Sequence, residues 1–210
     1  MEQDGRRLRG MRSRETILRQ AVELASVEGL DGLSLGRLAA VTNLSKSGFF
    51  AHWRDKEQLQ LEAVEWAARQ WTEHIVQPAL HAPAGVRRLL ALHEARLRFY
   101  GDAVLPGGCF FFAVQAEFDD RPGAVRDRLV SAMREWQGFI RHLVAEAVTL
   151  GELAENVDPA QLAYEIDALG QMVIIHSRLH DGPAALVHAR DAVLQRLRAL
   201  CPDPTLLTED

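Results

Sequence analysis

The chain is poor in the features that cross-link proteins, anchor them in membranes or mark common catalysts. Its two cysteines, Cys109 and Cys201, are too few for a disulfide framework. No uninterrupted apolar span is long enough for a membrane helix and no secretory leader is read, so a cytoplasmic protein with no membrane partner is expected. No glycine-rich phosphate loop follows a strand, no HExxH occurs, and Cys109 has no histidine assigned to activate it. These absences point away from an enzyme, and neither a cofactor nor a metal ligand set is expected. A net charge of -5 also excludes a surface coated all over in positive charge.

What is present fits a water-soluble globular chain: 210 residues, 48% hydrophobic and 25% charged, enough to bury a substantial core. The charge is unevenly spread. Residues 1–60 carry ten Arg or Lys against eight Asp or Glu, whereas residues 61–210 carry fourteen against twenty-one. Such asymmetry permits a local basic patch at the front and an acidic remainder.

The most informative stretch is 33–57, LSLGRLAAVTNLSKSGFFAHWRDKE. Ser34 suits the cap of a short helix whose Leu35, Leu38, Ala39 and Val41 share one side. Thr42, Asn43 and Leu44 suit a turn, and Ser45 suits the cap of a second short helix beginning Lys46-Ser47-Gly48-Phe49-Phe50. This is helix-turn-helix spacing, in which the second helix enters a major groove. Short, hydroxyl-bearing or cationic side chains there allow close approach to DNA, while Phe49, Phe50 and Trp53 supply supporting bulk. The same window also fits an ordinary small helical subdomain.

In chain order, residues 1–12 read as a flexible arm in which Arg6, Arg7, Arg9 and Arg12 reach phosphates or form a solvated tail. Ser13 caps a support helix over residues 14–28, with Ile17, Leu18, Ala21, Val22, Leu24 and Ala25 at helical spacing, and Gly29 stops it. Asp55 caps a helix of roughly twenty residues running to Pro78, long enough at about 1.5 Å per residue to act as a rigid lever. A further helix is read over 84–100. The apolar segment from Cys109 to Phe118 fits either a helix or a strand. Helices follow over 124–150, 159–179 and 184–200, the second opened by Asp158 and Pro159. The last two carry more apolar surface than one internal face needs, so pairing with a second copy through 159–179 and 184–200 is expected. The tail 202–210 reads as frayed.

The run GLDGLSLGRLAAVTNLSKSGFFAHWRDKEQL resembles the DNA-binding domain of the TetR family of transcriptional regulators. The resemblance covers about residues 16–63 and rests on Gly29, Leu33 with Leu35 and Leu38, Ser45-Lys46, Phe49-Phe50 and Lys56-Glu57. Phe50 stands where the family often has Tyr, Trp53 where it often has Phe, and Ala51 where a larger polar residue is common. Loss of the Tyr hydroxyl removes a phosphate donor. Residues 105–127, LPGGCFFFAVQAEFDDRPGAVRD, also resemble the ligand domain of one subgroup of that family. The resemblance implies an all-α homodimer of nine or so helices per chain. A three-helix DNA-binding domain with its helix-turn-helix, residues 13–54, would precede a larger helical effector-binding and dimerisation domain, residues 55–201. The implied function is a ligand-responsive regulator, a repressor in most members, that leaves double-stranded operator DNA when a small-molecule effector binds. A helical dimeric protein-interaction adaptor is the alternative.

For DNA contact the candidates are Ser34, Thr42, Ser45, Lys46, Ser47, Gly48, Phe50, His52 and Lys56, with Lys46 neutralising phosphate or touching a base. For the unknown effector they are His93, Arg96, Tyr100, Phe111, Gln115, Trp136, Met172 and His176, aromatic, thioether and polar groups on helices expected to surround a cavity. A buried Arg96 would need a carboxylate or an anionic ligand. His176 and His180 lie four apart, but no third metal ligand is identified.

Overall fold

The computed structural model describes residues 2–42 and 45–208, with side chains from Arg14 onward apart from Leu35 and Lys46. The turn expected at Asn43 and Leu44, the side chains of the arginine arm and the Ser13 cap lie outside the described residues. The architecture is all-α, with ten α-helices among the described residues. They are α1 (Glu2–Glu28), α2 (Leu35–Thr42), α3 (Lys46–Phe50), α4 (Lys56–Trp71), α5 (Gln77–Leu80), α6 (Val86–Gly101), α7 (Phe110–Phe118), α8 (Ala124–Thr149), α9 (Pro159–Leu179) and α10 (Gly182–Leu200). A single π-helical stretch, Thr72–Val76, joins α4 to α5, so the expected long helix reaches beyond Pro78 with one local change of winding.

Short side chains set five of the ten helix starts among the described residues. Ser34 Oγ accepts the Arg37 N–H at 3.1 Å, Ser45 Oγ accepts the Gly48 N–H at 3.1 Å, and Asp55 Oδ1 accepts the Gln58 N–H at 2.8 Å. Asp158 and Asp181 do the same for α9 and α10, each with Pro in the first turn. At the front the structure departs from the sequence reading, because α1 begins at Glu2 and absorbs the expected arm. Arg, Gln, Glu, Leu and Met there are good helix formers, and no proline interrupts the stretch, so Gly5 and Gly10 do not end the helix. The ambiguous apolar segment is helical, as α7.

The chain forms two compact units that are not consecutive in sequence. The first comprises Met1–Arg69 and Leu105–Val130; the second comprises Gln70–Val104 and Ser131–Asp210. In the first, α1 packs against α2 and α7, burying Ile17, Leu18, Ala21, Val22 and Ala25 together with Leu30, Leu33, Leu38, Phe49 and Trp53. In the second, α6, α9 and α10 pack on one another and bury Leu89, Leu92, Ile166, Val173, Val193 and Leu197. Of the tail expected to be frayed, residues 202–208 are ordered against the chain, since Leu207 is buried and its carbonyl accepts from Arg198 at 2.6 Å, and residues 209–210 lie outside the described residues.

Candidate functional site

In the first unit, α3 has only five residues and cannot hold itself in water, so its geometry is imposed by its neighbours. Phe49 and Trp53 are buried on one side of it, with ring centroids 5.6 Å apart. Trp53 is fixed in turn: its Nε1–H donates to Glu62 at 3.0 Å, and the Arg14 guanidinium lies 5.2 Å from its ring centre. Arg14 also donates to Glu62 and, at 3.0 Å, to the His52 carbonyl, tying α1, α4 and the end of the reading segment together.

The opposite side of α3 faces water. Ser45 and Ser47 are exposed with their hydroxyls 3.0 Å apart, and Phe50 is 51% exposed. Gly48 and His52 are half-buried, and the His52 ring lies against Trp53. The backbone places Lys46 at the first position of α3; its side chain lies outside the described ones. Ser34, Thr42 and Lys56 are engaged within the chain. Ser34 caps α2, Thr42 donates to the Leu38 carbonyl at 2.6 Å, and Lys56 donates to the Asp31 carbonyl at 2.9 Å.

In the second unit, Arg96 and Asp167 are 3% and 5% exposed and form an ion pair at 2.8 Å. The Arg96 guanidinium sits 5.5 Å from the Trp71 ring centre and 5.7 Å from those of Tyr100 and Trp136, and its Nε donates to the Tyr100 hydroxyl at 2.8 Å. The Asp167 carboxylate also accepts from the Trp136 indole at 2.9 Å, from Gln171 at 3.0 Å and from Gln137. A Cβ at Gly170 would overlap the guanidinium, so the lack of a side chain there lets Arg96 lie against α9. Charge, aromatic faces and hydrogen bonds thus all close on one buried pair. His93, one turn earlier on α6, is buried with Nε2 3.0 Å from the Ala189 carbonyl, to which it must donate. Burial, and secondarily the charge of Arg96, pushes His93 down to about 4, so its ring is neutral at physiological pH.

The expected effector residues do not all converge. Arg96, Tyr100 and Trp136 join one cluster, with His93 buried nearby on the same helix. Phe111 and Gln115 lie on α7 in the first unit. Met172 and His176 occupy the exposed face of α9 and so do not share the buried surroundings of Arg96. The rings of His176 and His180 are 5.7 Å apart and exposed, and no group of three or more His, Cys, Asp or Glu is placed to hold a metal among the described residues. Both cysteines are buried.

Two comparisons of the sequence with family models bear on these arrangements. Residues 17–63 match the model described as bacterial regulatory proteins, tetR family. Residues 85–193, more than half of the chain, match the tetracyclin repressor-like C-terminal domain.

The chain belongs to the TetR family.

Among solved TetR-family structures, a regulator from Chloroflexus aurantiacus J-10-FL is 27% identical, with a TM-score of 0.85 over 92% of this chain and 98% of that one. AibR, solved with isovaleryl coenzyme A and operator DNA, is 19% identical, with a TM-score of 0.71 over 90% of this chain and 98% of that one. Among curated proteins, the transcriptional regulator AcuR of Cereibacter sphaeroides is 22% identical over 71% of this chain and 68% of its own length. As a TetR-family member the chain is a transcriptional regulator with a helix-turn-helix, responsive in general terms to a ligand, and not an enzyme. A homodimer and a ligand-binding pocket are typical of the family. No helix among the described residues is long and apolar enough to cross a membrane.

Sequence reasoning missed Asp167, the partner that Arg96 requires. A signal was available: Ala163, Ile166, Asp167, Gly170, Val173 and Ile174 repeat at helical spacing, which places an acid on the buried stripe of α9. Glu62 and its links to Arg14 and Trp53 carried no comparable signal.

Proposed function

We propose that the chain is a repressor that binds an inverted-repeat operator as a homodimer and is released by a small-molecule effector. The observation that carries this reading is the two-sided α3: Phe49 and Trp53 lock one side, while Ser45, Ser47 and Phe50 stay exposed on the other. A rigidly mounted short helix with a free polar edge suits insertion into a major groove. Ser45, Lys46, Ser47, Gly48 and Phe50 are the contacts proposed, with His52, Thr42 and Ser34 flanking them. Lys56 acts through Asp31, which it already holds.

Dimerisation is assigned to α9 and α10. Tyr164, Met172 and Leu179 form an exposed stripe along α9, at 65%, 48% and 74% exposure, and Val187 is exposed on α10. Covering such a stripe with the same stripe of a second copy gives a closed two-fold interface and two reading heads. The effector is proposed to act in the second unit around Arg96, Tyr100 and Trp136, where a charged pair and three aromatic rings meet. AibR, solved with isovaleryl coenzyme A and operator DNA, shows that this fold can take both a small molecule and a duplex.

Selection of purified protein against random duplex DNA at physiological salt tests the reading. Recovery of an inverted repeat, with binding weakened by Lys46→Ala and a shallower salt dependence, is expected. Failure to enrich any sequence across several salt concentrations would overturn it and favour the helical adaptor.

A further inference from the structure

The turn between α1 and α2 decides the direction in which the reading segment leaves its support helix, and its backbone groups are held from two other helices. Gly29 has φ +76, a left-handed conformation that suits glycine. Beyond it, the Leu30 N–H donates to one carboxylate oxygen of Glu117 at 2.7 Å and the Asp31 N–H donates to the other at 2.6 Å. A Cβ at position 29 would lie 2.7 Å from that carboxylate, so Gly29 supplies both the turn and the room for Glu117. From α4, Gln60 donates to the Leu30 carbonyl at 3.1 Å and Lys56 to the Asp31 carbonyl at 2.9 Å. The Asp31 side chain pairs with Arg121, four residues beyond Glu117. A second grip lies at the start of the same segment. The Gly107 N–H donates to Ser26 Oγ at 2.9 Å, so closely that any Cβ on Gly107 would overlap the Ser26 backbone.

All of these ties lie within the first unit, yet the chain enters α7 from α6 and leaves it into α8, both of which carry residues of the second unit. From this we infer that Glu117 is the positioning residue of the DNA reader, the carboxylate through which α7 sets the path of the α1–α2 turn and hence the attitude of α2 and α3. This rests on the DNA-reading function proposed above. The chemistry suits the task, because an ionised carboxylate accepting two backbone N–H groups is stronger than a neutral acceptor and fixes an angle as well as a distance. A glutamine offers one acceptor and sets an NH2 against the second N–H, so Glu117→Gln breaks the fork with almost no change of volume.

The test has two arms. In the first, amide hydrogen exchange is followed without DNA in the wild-type protein, in Glu117→Gln, and in Val22→Ala, which loosens the α1 core but keeps the fork. Exchange in residues 30–50 should rise about tenfold in Glu117→Gln, and by clearly less in a Val22→Ala protein of matched melting temperature. Equal exchange in the wild type and Glu117→Gln overturns the assignment whether or not the protein binds DNA, and so does an equal rise in both variants. In the second arm, binding to the selected operator should weaken about tenfold in Glu117→Gln while binding to a random duplex changes less than twofold. Unchanged discrimination overturns the positioning role. A wild-type protein with no preferred sequence instead overturns the DNA-reading function and leaves the position of the turn to the exchange arm.

Discussion

Both units carry surface ion pairs, but they differ in where the most buried charge contact lies. In the first, the polar ties are many and shared with the backbone: Glu117 on two N–H groups, the buried Gln60 and the exposed Lys56 on two carbonyls, and ion pairs such as Arg37–Glu28 and Arg121–Asp31 on the surface. In the second, one pair, Arg96–Asp167, is almost wholly buried and gathers Tyr100, Trp136, Gln137 and Gln171 around it. The exposed ion pairs among them cost little to break and re-form, unlike the Glu117 fork and the buried Gln60 bond. A buried pair is costly to disturb, so it favours one arrangement of α6, α8 and α9.

The largest expected effect breaks the buried side of this contrast. Asp167→Ala strands the Arg96 charge and the donors of Trp136, Gln137 and Gln171, and should cost about 3–5 kcal/mol in urea unfolding. An Arg96→Met, Asp167→Leu double variant should recover the part of that loss due to the stranded charge, while the donors of Trp136, Gln137 and Gln171 stay without their carboxylate.

The second effect is a pH dependence. The folded-state value for His93 lies below the unfolded one, so unfolding takes up a proton. Its contribution is fully present above the ordinary histidine range near 6.5 and is lost as pH falls towards about 4. Between pH 7 and pH 5 the wild type should lose about 2 kcal/mol relative to His93→Gln, measured as the difference between their denaturant midpoints. Parallel pH curves would remove His93 from the account.

Smaller effects belong to the first unit. Ser45→Ala removes the cap of α3 and should cost about 1 kcal/mol, seen as a lower unfolding midpoint. Arg37→Gln removes a surface partner that holds the Glu28 carboxyl below its usual range, chiefly by hydrogen bonding, and the melting temperature should not move measurably.

Much of this was readable in the chain because the governing interactions are local. Ser34, Ser45, Asp55 and Asp158 cap helices a few residues away, and the apolar spacing of α1, α4 and α9 repeats within each helix. What stayed hidden depends on distance along the chain. Asp167 meets Arg96 from 71 residues away, and Glu117 meets Leu30 from 87, so neither pairing leaves a periodic trace. The segment from Cys109 to Phe118 was ambiguous because a short, densely apolar run satisfies both helical and strand templates. Ser13 looks like a cap and so suggests a later start for α1, yet the Arg, Leu and Met residues before it carry the helix through Gly5 and Gly10 to Glu2. The tail was read as frayed because the burial of Leu207 comes from packing that local composition does not encode.

Two copies of the chain are proposed to present two reading heads to one duplex, which hydroxyl-radical footprinting of the selected operator would resolve. Two protected blocks related by two-fold symmetry, with centres about one helical turn of DNA apart or a multiple of it, are expected. Both should fade together in Tyr164→Asp, which places a charge in the proposed α9 interface. A single asymmetric block, or two blocks indifferent to Tyr164→Asp, would show that the chain does not read DNA as a dimer joined through α9.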